Sequence, residues 1–150
     1  MTESPEEPPR TTGPPDRQTL RLLEKHLGED PLVEKTDFEP NAHEPRTLRA
    51  VLDLSHYSSG IEEVRLDIRW FESGDFSAHY VERQDDQQWE CRWDRHPNNH
   101  NARLHFHHPP GGTPIEDLSA DLTHPLDVYS TVHTAIEQRI ERIWTPADSD

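Results

Sequence analysis

The sequence has few of the features that would cross-link the chain, hold it in a membrane or give it a generic affinity for polyanions. One cysteine, Cys91, stands among 150 residues, so a disulfide framework within the chain and a cysteine-based zinc finger are both excluded. No apolar run approaches the roughly 18 residues that a membrane-spanning helix requires. The stretch from Met1 to Asp16 is rich in Glu and Pro and has no apolar core of the signal-peptide kind. A cytoplasmic, unexported protein with no membrane partner is expected.

Lysine is almost missing. Lys25 and Lys35 stand beside 13 arginines and 30 acidic residues, and the formal net charge is −15. A surface of that sign repels phosphate and would ordinarily argue against nucleic acid. Acidic, lysine-poor surfaces are also the pattern of salt-adapted cytosolic proteins, whose self-repulsion is screened by a Debye length of about 3 Å in 1 M salt. The chain is read as halophilic, and its charge then loses most of its power to exclude partners. The melting midpoint should accordingly be higher in about 2 M KCl than in about 0.1 M KCl. A midpoint that stays put or falls would restore the charge argument against RNA.

Apolar residues are also scarce, at 30% against roughly 45–50% in globular chains by a count that includes glycine. Part of the chain must lie outside the core of a single domain. Residues 1–15 hold five prolines and three glutamates and are expected to be a disordered tail. From Asp16, a capping residue, Leu20, Leu23 and Leu27 recur at helical spacing up to Gly28. Pro31, Pro40 and Pro45 then predict a linker up to residue 45, followed by one α+β domain over 46–144 and a short tail over 145–150.

Within that domain the apolar period is first two and then 3.6. Leu48, Ala50, Leu52 and Leu54 alternate with polar or smaller neighbours, as do Val64, Leu66, Ile68 and Trp70. Phe76, Ala78 and Tyr80, then Trp89, Cys91 and Trp93, then Leu104 and Phe106 repeat the pattern. An antiparallel meander of about five strands follows. After Pro109-Pro110-Gly111-Gly112, Val128, Val132, Ile136, Ile140 and Ile143 form a helical stripe from about Pro125 to Trp144. This C-terminal helix is expected on one sheet face, with Trp144 closing an edge.

Chemistry concentrates between Arg92 and His108, where five of the 11 histidines lie. Here Arg92, Arg95 and Arg103 outweigh Asp94, a basic island in an acidic chain. If Trp93 and Phe106 face the core, alternation turns Arg92, Asp94, Arg103, His105 and His107 to the other side. Arg65, Asp67, Arg69 and His79 join them on that face. Imidazole exchanges protons near neutral pH, guanidinium holds phosphate, and a carboxylate orients a histidine. Such a face suits metal-independent cleavage of RNA, whose own 2′-hydroxyl is the nucleophile. His105 and His107 are the expected proton-transfer groups, Arg92 and Arg103 the phosphate ligands, and Asp94 the orienting group. His96, Asn98, His100, Arg65, Arg69 and His79 are the expected substrate contacts. No cofactor or metal is expected, although His105 and His107 with His96, His100 or His79 leave a metal-binding reading open. The other open reading is a non-enzymatic module of a halophile that binds a protein or an anionic ligand. It becomes the better one if ion pairs consume the arginines of this face.

Arg92-Trp93-Asp94, the turn His96-Pro97-Asn98-Asn99-His100 and the cluster His105-Phe106-His107-His108, placed after strands and before one amphipathic helix, resemble the TumE-like toxin family of prokaryotic toxin–antitoxin modules. The resemblance spans about Arg46 to Trp144. It implies a toxin that acts on RNA and is neutralised by a cognate antitoxin with a helix-turn-helix. Family members carry a proline N-terminal to the paired histidines, whereas here Pro109-Pro110 follows them.

Overall fold

The computed structural model describes residues 13–96, 104–118 and 122–145. The Asp16 carboxylate accepts the Thr19 N–H at 3.0 Å and so starts helix α1 (Arg17–Gly28), whose Leu20, Leu23 and Leu27 are buried. Full burial of one such leucine is worth about 1.5–3 kcal/mol. Seven strands follow: β1 (Val33–Glu39), β2 (Thr47–Leu52), β3 (Glu63–Trp70), β4 (Phe76–Gln84), β5 (Gln87–Arg95), β6 (Leu104–His107) and β7 (Ile115–Asp117). They pair in chain order, every neighbour antiparallel. The β3–β4 turn rests on Gly74, whose φ of +94° disfavours side chains and whose N–H donates to the Phe71 carbonyl at 2.8 Å.

Alternation works as the apolar period requires. Leu48, Ala50, Val64, Leu66, Ile68, Trp70, Phe76, Ala78, Tyr80, Cys91, Trp93 and Leu104 all join one buried cluster with the α1 leucines. The strand count is corrected from five to seven. β1 lies inside the stretch expected to be a linker, and β7 follows the double proline. Both are edge strands, where one side and one edge stay wet, so they need little apolar alternation. Phe38 is the sole large apolar residue in the second half of β1, and all of β7 is exposed. The meander begins earlier still: Glu72 N–H donates to the Pro14 carbonyl at 2.9 Å and Asp16 N–H to the Trp70 carbonyl at 2.8 Å. Disorder was expected up to residue 15; Pro14 and Pro15 are tied to the end of β3, and residues 1–12 lie outside the described residues.

Helix α2 (Pro125–Trp144) opens with proline in its first turn and with His124 Nδ1 accepting the Leu126 N–H at 3.1 Å. Val128, Val132 and Ile136 bury its apolar stripe. Two polar clasps fix it. Tyr129 donates its hydroxyl to Asp30, and His133 Nδ1 stands 2.8 Å from the same carboxylate, which ties α2 to the α1–β1 connection. Farther along, the Arg139 guanidinium meets both Glu82 oxygens at 2.8 Å. Glu82 is only 3% exposed and also accepts the Tyr80 hydroxyl at 2.7 Å, which in turn lies 2.8 Å from that of Tyr57. Trp144 does not close an edge: it is 57% exposed, with its indole N–H donating to the His56 carbonyl. No helix among the described residues is long and apolar enough to cross a membrane.

Candidate functional site

The helices occupy one side of the sheet, and the polar residues of alternate parity occupy the other. Antiparallel register sets Arg92 directly opposite His107 and Asp94 directly opposite His105. Diagonal neighbours remain within reach of long side chains, and here the diagonal decides the contact. His107 Nε2 lies 3.0 Å from Asp94 Oδ2, and Arg92 Nε donates to the same oxygen at 3.0 Å. An Arg92 terminal nitrogen stands 3.3 Å from the imidazole. Asp94 is 7% exposed, so its charge works in a medium far less screening than water.

His105 sits beside this trio, 8% exposed. Its Nδ1 is 2.9 Å from Asp117 Oδ1 on β7, an ion-pair distance without hydrogen-bond alignment. Neither ring nitrogen of His105, nor Asp94 Oδ1, makes a hydrogen bond among the described residues. An unsatisfied buried polar atom costs about 1–3 kcal/mol, and three of them converge here. His96 stacks on His105 with ring centroids 5.0 Å apart, and its Nε2 lies 3.8 Å from Asp94 Oδ1. Burial holds the His107 pKa below the ordinary imidazole value; Asp94 pulls it upward and Arg92 pushes it down. The shift favours the neutral imidazole, the form able to accept a proton.

The remaining expected residues disperse. His79 faces Arg92 across β4 and β5, but its Nε2 is engaged at 2.6 Å by Glu90. Arg65 donates to Asp67 at 3.1 Å, and Arg49 takes the other oxygen of that carboxylate at 2.8 Å. Arg69 lies over the Phe71 ring, 5.4 Å from its centroid. Arg103, Asn98 and His100 fall in 97–103, outside the described residues. His108 points to the helix side, where it meets Glu116 at 2.7 Å. Sequence reasoning missed Asp117 and Arg49. Nothing in the short, fully exposed β7 marks Asp117, and Arg49 emerges only from register.

Two other groups bear on the chemistry. Burial pushes the Cys91 thiol up to about 12, which leaves it protonated and without nucleophilic use at neutral pH. Among the described residues no group of three or more His, Cys, Asp or Glu is arranged to hold a metal ion.

Fold and site define an α+β protein with a seven-stranded meander, helices on one side and a His–Asp–Arg cluster on the other. Residues 19–140 match the family described as Toxin TumE, and the chain belongs to that family. The match begins within α1, so the family region takes in α1 and β1 and reaches well before Arg46. Membership identifies a toxin of a toxin–antitoxin system and implies an antitoxin partner. No characterised protein and no solved structure matches the chain.

Proposed function

We propose that this toxin is a metal-independent ribonuclease whose reaction centre is the Arg92–Asp94–His107 cluster, with His105 at its side. The observation that carries the reading is the shared Asp94 oxygen, 3.0 Å from both His107 Nε2 and Arg92 Nε. A carboxylate on Nε2–H fixes the tautomer and leaves Nδ1 as the base. His107 Nδ1 takes the proton of the substrate 2′-hydroxyl, the 2′-oxygen bonds to phosphorus, and the phosphorus–5′-oxygen bond breaks to leave a cyclic phosphate. His105, whose Nδ1 stands 2.9 Å from Asp117 Oδ1 and whose Nε2 has no hydrogen-bond partner among the described residues, gives the departing 5′-oxygen its proton. The part of the Arg92 guanidinium not bound to Asp94 faces the phosphoryl oxygens as charge builds. Arg103 is assigned to the same phosphate and His96 to the substrate; the antitoxin is assigned to the helix-turn-helix class.

Inducible expression of wild type, His107→Ala and Arg92→Ala tests this. Growth arrest with RNA decay is expected for wild type alone. Equal growth of all three strains removes the reading, and arrest with intact RNA removes the ribonuclease while leaving the toxin.

A second reading draws on one observation. Arg65 and Arg92 each place their Nε on a neighbouring carboxylate, Asp67 and Asp94, as a surface built to bind a protein or an anionic ligand would have them. Wild-type arrest without RNA decay favours that reading.

A further inference from the structure

A sheet of seven strands at about 4.8 Å spacing is about 29 Å across, whereas two helices of about 10 Å diameter cover about 20 Å. Among the described residues about one helix width of the apolar face is left without a helix. Among the described residues α1 lies on β1, β2 and β3, and α2 reaches β4 through Arg139 and Glu82. The part that no described helix covers is therefore over β5 and β6, where a groove of about 1100 Å³ runs between the sheet and α2. Trp89, Trp93 and Phe106 form its floor and Ala135 its helical wall. Arg139 lies over Trp89, 3.7 Å from the ring centroid, with its charge met by Glu82. Arg142 also lines the groove and has no hydrogen-bond or ion-pair partner among the described residues.

We infer that this groove seats one amphipathic helix of the antitoxin, supplied as the missing third helix of the layer. The inference rests on the toxin–antitoxin reading and needs no ribonuclease activity. Size and chemistry both select that occupant. A cylinder about 10 Å across that fills the groove holds about nine helical residues, between two and three turns. Aromatic rings with an arginine at the rim match the anchor pockets of protein interfaces. Arg142 calls for a carboxylate beside the apolar stripe of the incoming helix, and Glu141, next to it on the groove, for a basic residue. Docking there leaves the Asp94–His107 face on the opposite side of the sheet.

Calorimetric titration of the full chain with its purified cognate antitoxin tests the seat without any readout of toxicity. Ala135→Arg fills the wall and should weaken binding about 30-fold or more. Arg142→Glu should weaken it about tenfold, and it carries the test alone if Ala135→Arg does not give a cooperative melt. His107→Ala, on the other face, should bind within about threefold of wild type. Native affinity in Arg142→Glu or in a folded Ala135→Arg overturns the inference, as does loss of binding in His107→Ala or absence of binding by wild type. It is equally overturned if Ala135→Arg instead abolishes self-association of the chain or its binding of RNA while antitoxin binding persists.

Discussion

Arg139→Ala is expected to cost about 3–5 kcal/mol and to lower the melting midpoint by roughly 10 °C or more. The cause is the carboxylate left behind. Glu82 sits at 3% exposure beneath α2 and takes two bonds from the guanidinium; stripped of them, it is a buried charge with only the Tyr80 hydroxyl for company. Arg139 also covers Trp89, so truncation uncovers an aromatic face as well. Arg139→Lys should fall between, because an ammonium cannot make the paired contact. Replacing both partners by leucine should recover most of the loss, since the penalty belongs to the unpaired charge and not to the absence of the pair. Urea unfolding of wild type and the three variants checks this. A loss below about 1 kcal/mol for Arg139→Ala would mean that water reaches Glu82 and that the clasp behaves as a surface ion pair.

His107→Ala is expected to slow RNA cleavage by about 10²–10⁴-fold, the usual worth of a positioned base. The acid limb of the rate profile carries the sharper test. Burial sets the His107 pKa below the ordinary imidazole value, so activity should rise with pH through a midpoint below about 6.5. Asp94 opposes that shift; in Asp94→Asn the limb should move to still lower pH while the rate falls, because the tautomer is no longer fixed. A limb above about 6.5, or one that moves upward in Asp94→Asn, rejects His107 as the base. Stability follows the same sign. A histidine whose folded pKa is depressed contributes fully above its unfolded value near 6.5, and the contribution is lost as pH falls through the folded pKa. His107→Gln should therefore flatten the decline of stability on the acid side of about pH 6.5.

The site was half legible in the sequence. Period two in the strands through Trp93 and Phe106 was enough to turn Arg92, Asp94, His105 and His107 to one side, because side chains on a strand alternate whatever the fold does later. What each of them touches was not legible. Asp94 stands opposite His105 by register yet engages His107 on the diagonal. His79 is taken by Glu90, two positions before Arg92 on the facing strand. Those choices depend on register, on twist and on which partner lies within reach.

The sequence by itself determined the elements with strong local signals: α1 from its cap and leucine spacing, β2 to β6 from alternation, and α2 from its stripe and its Pro–Gly boundary. These signals are local because each reflects the period of one element against one apolar layer. Tertiary structure alone decided the rest. The edge strands β1 and β7 exist because a neighbour offers unpaired N–H and C=O groups, and hydrogen bonding to a template needs little hydrophobic pattern. Glu82 reads as a polar residue at a core position until a helix begun 43 residues later brings Arg139 over it. The Asp94 carboxylate becomes the hub of a cluster because β6 brings His107 to an oxygen that Arg92, two residues earlier on β5, also holds. Contacts of that kind are fixed by register and burial, which no local pattern encodes.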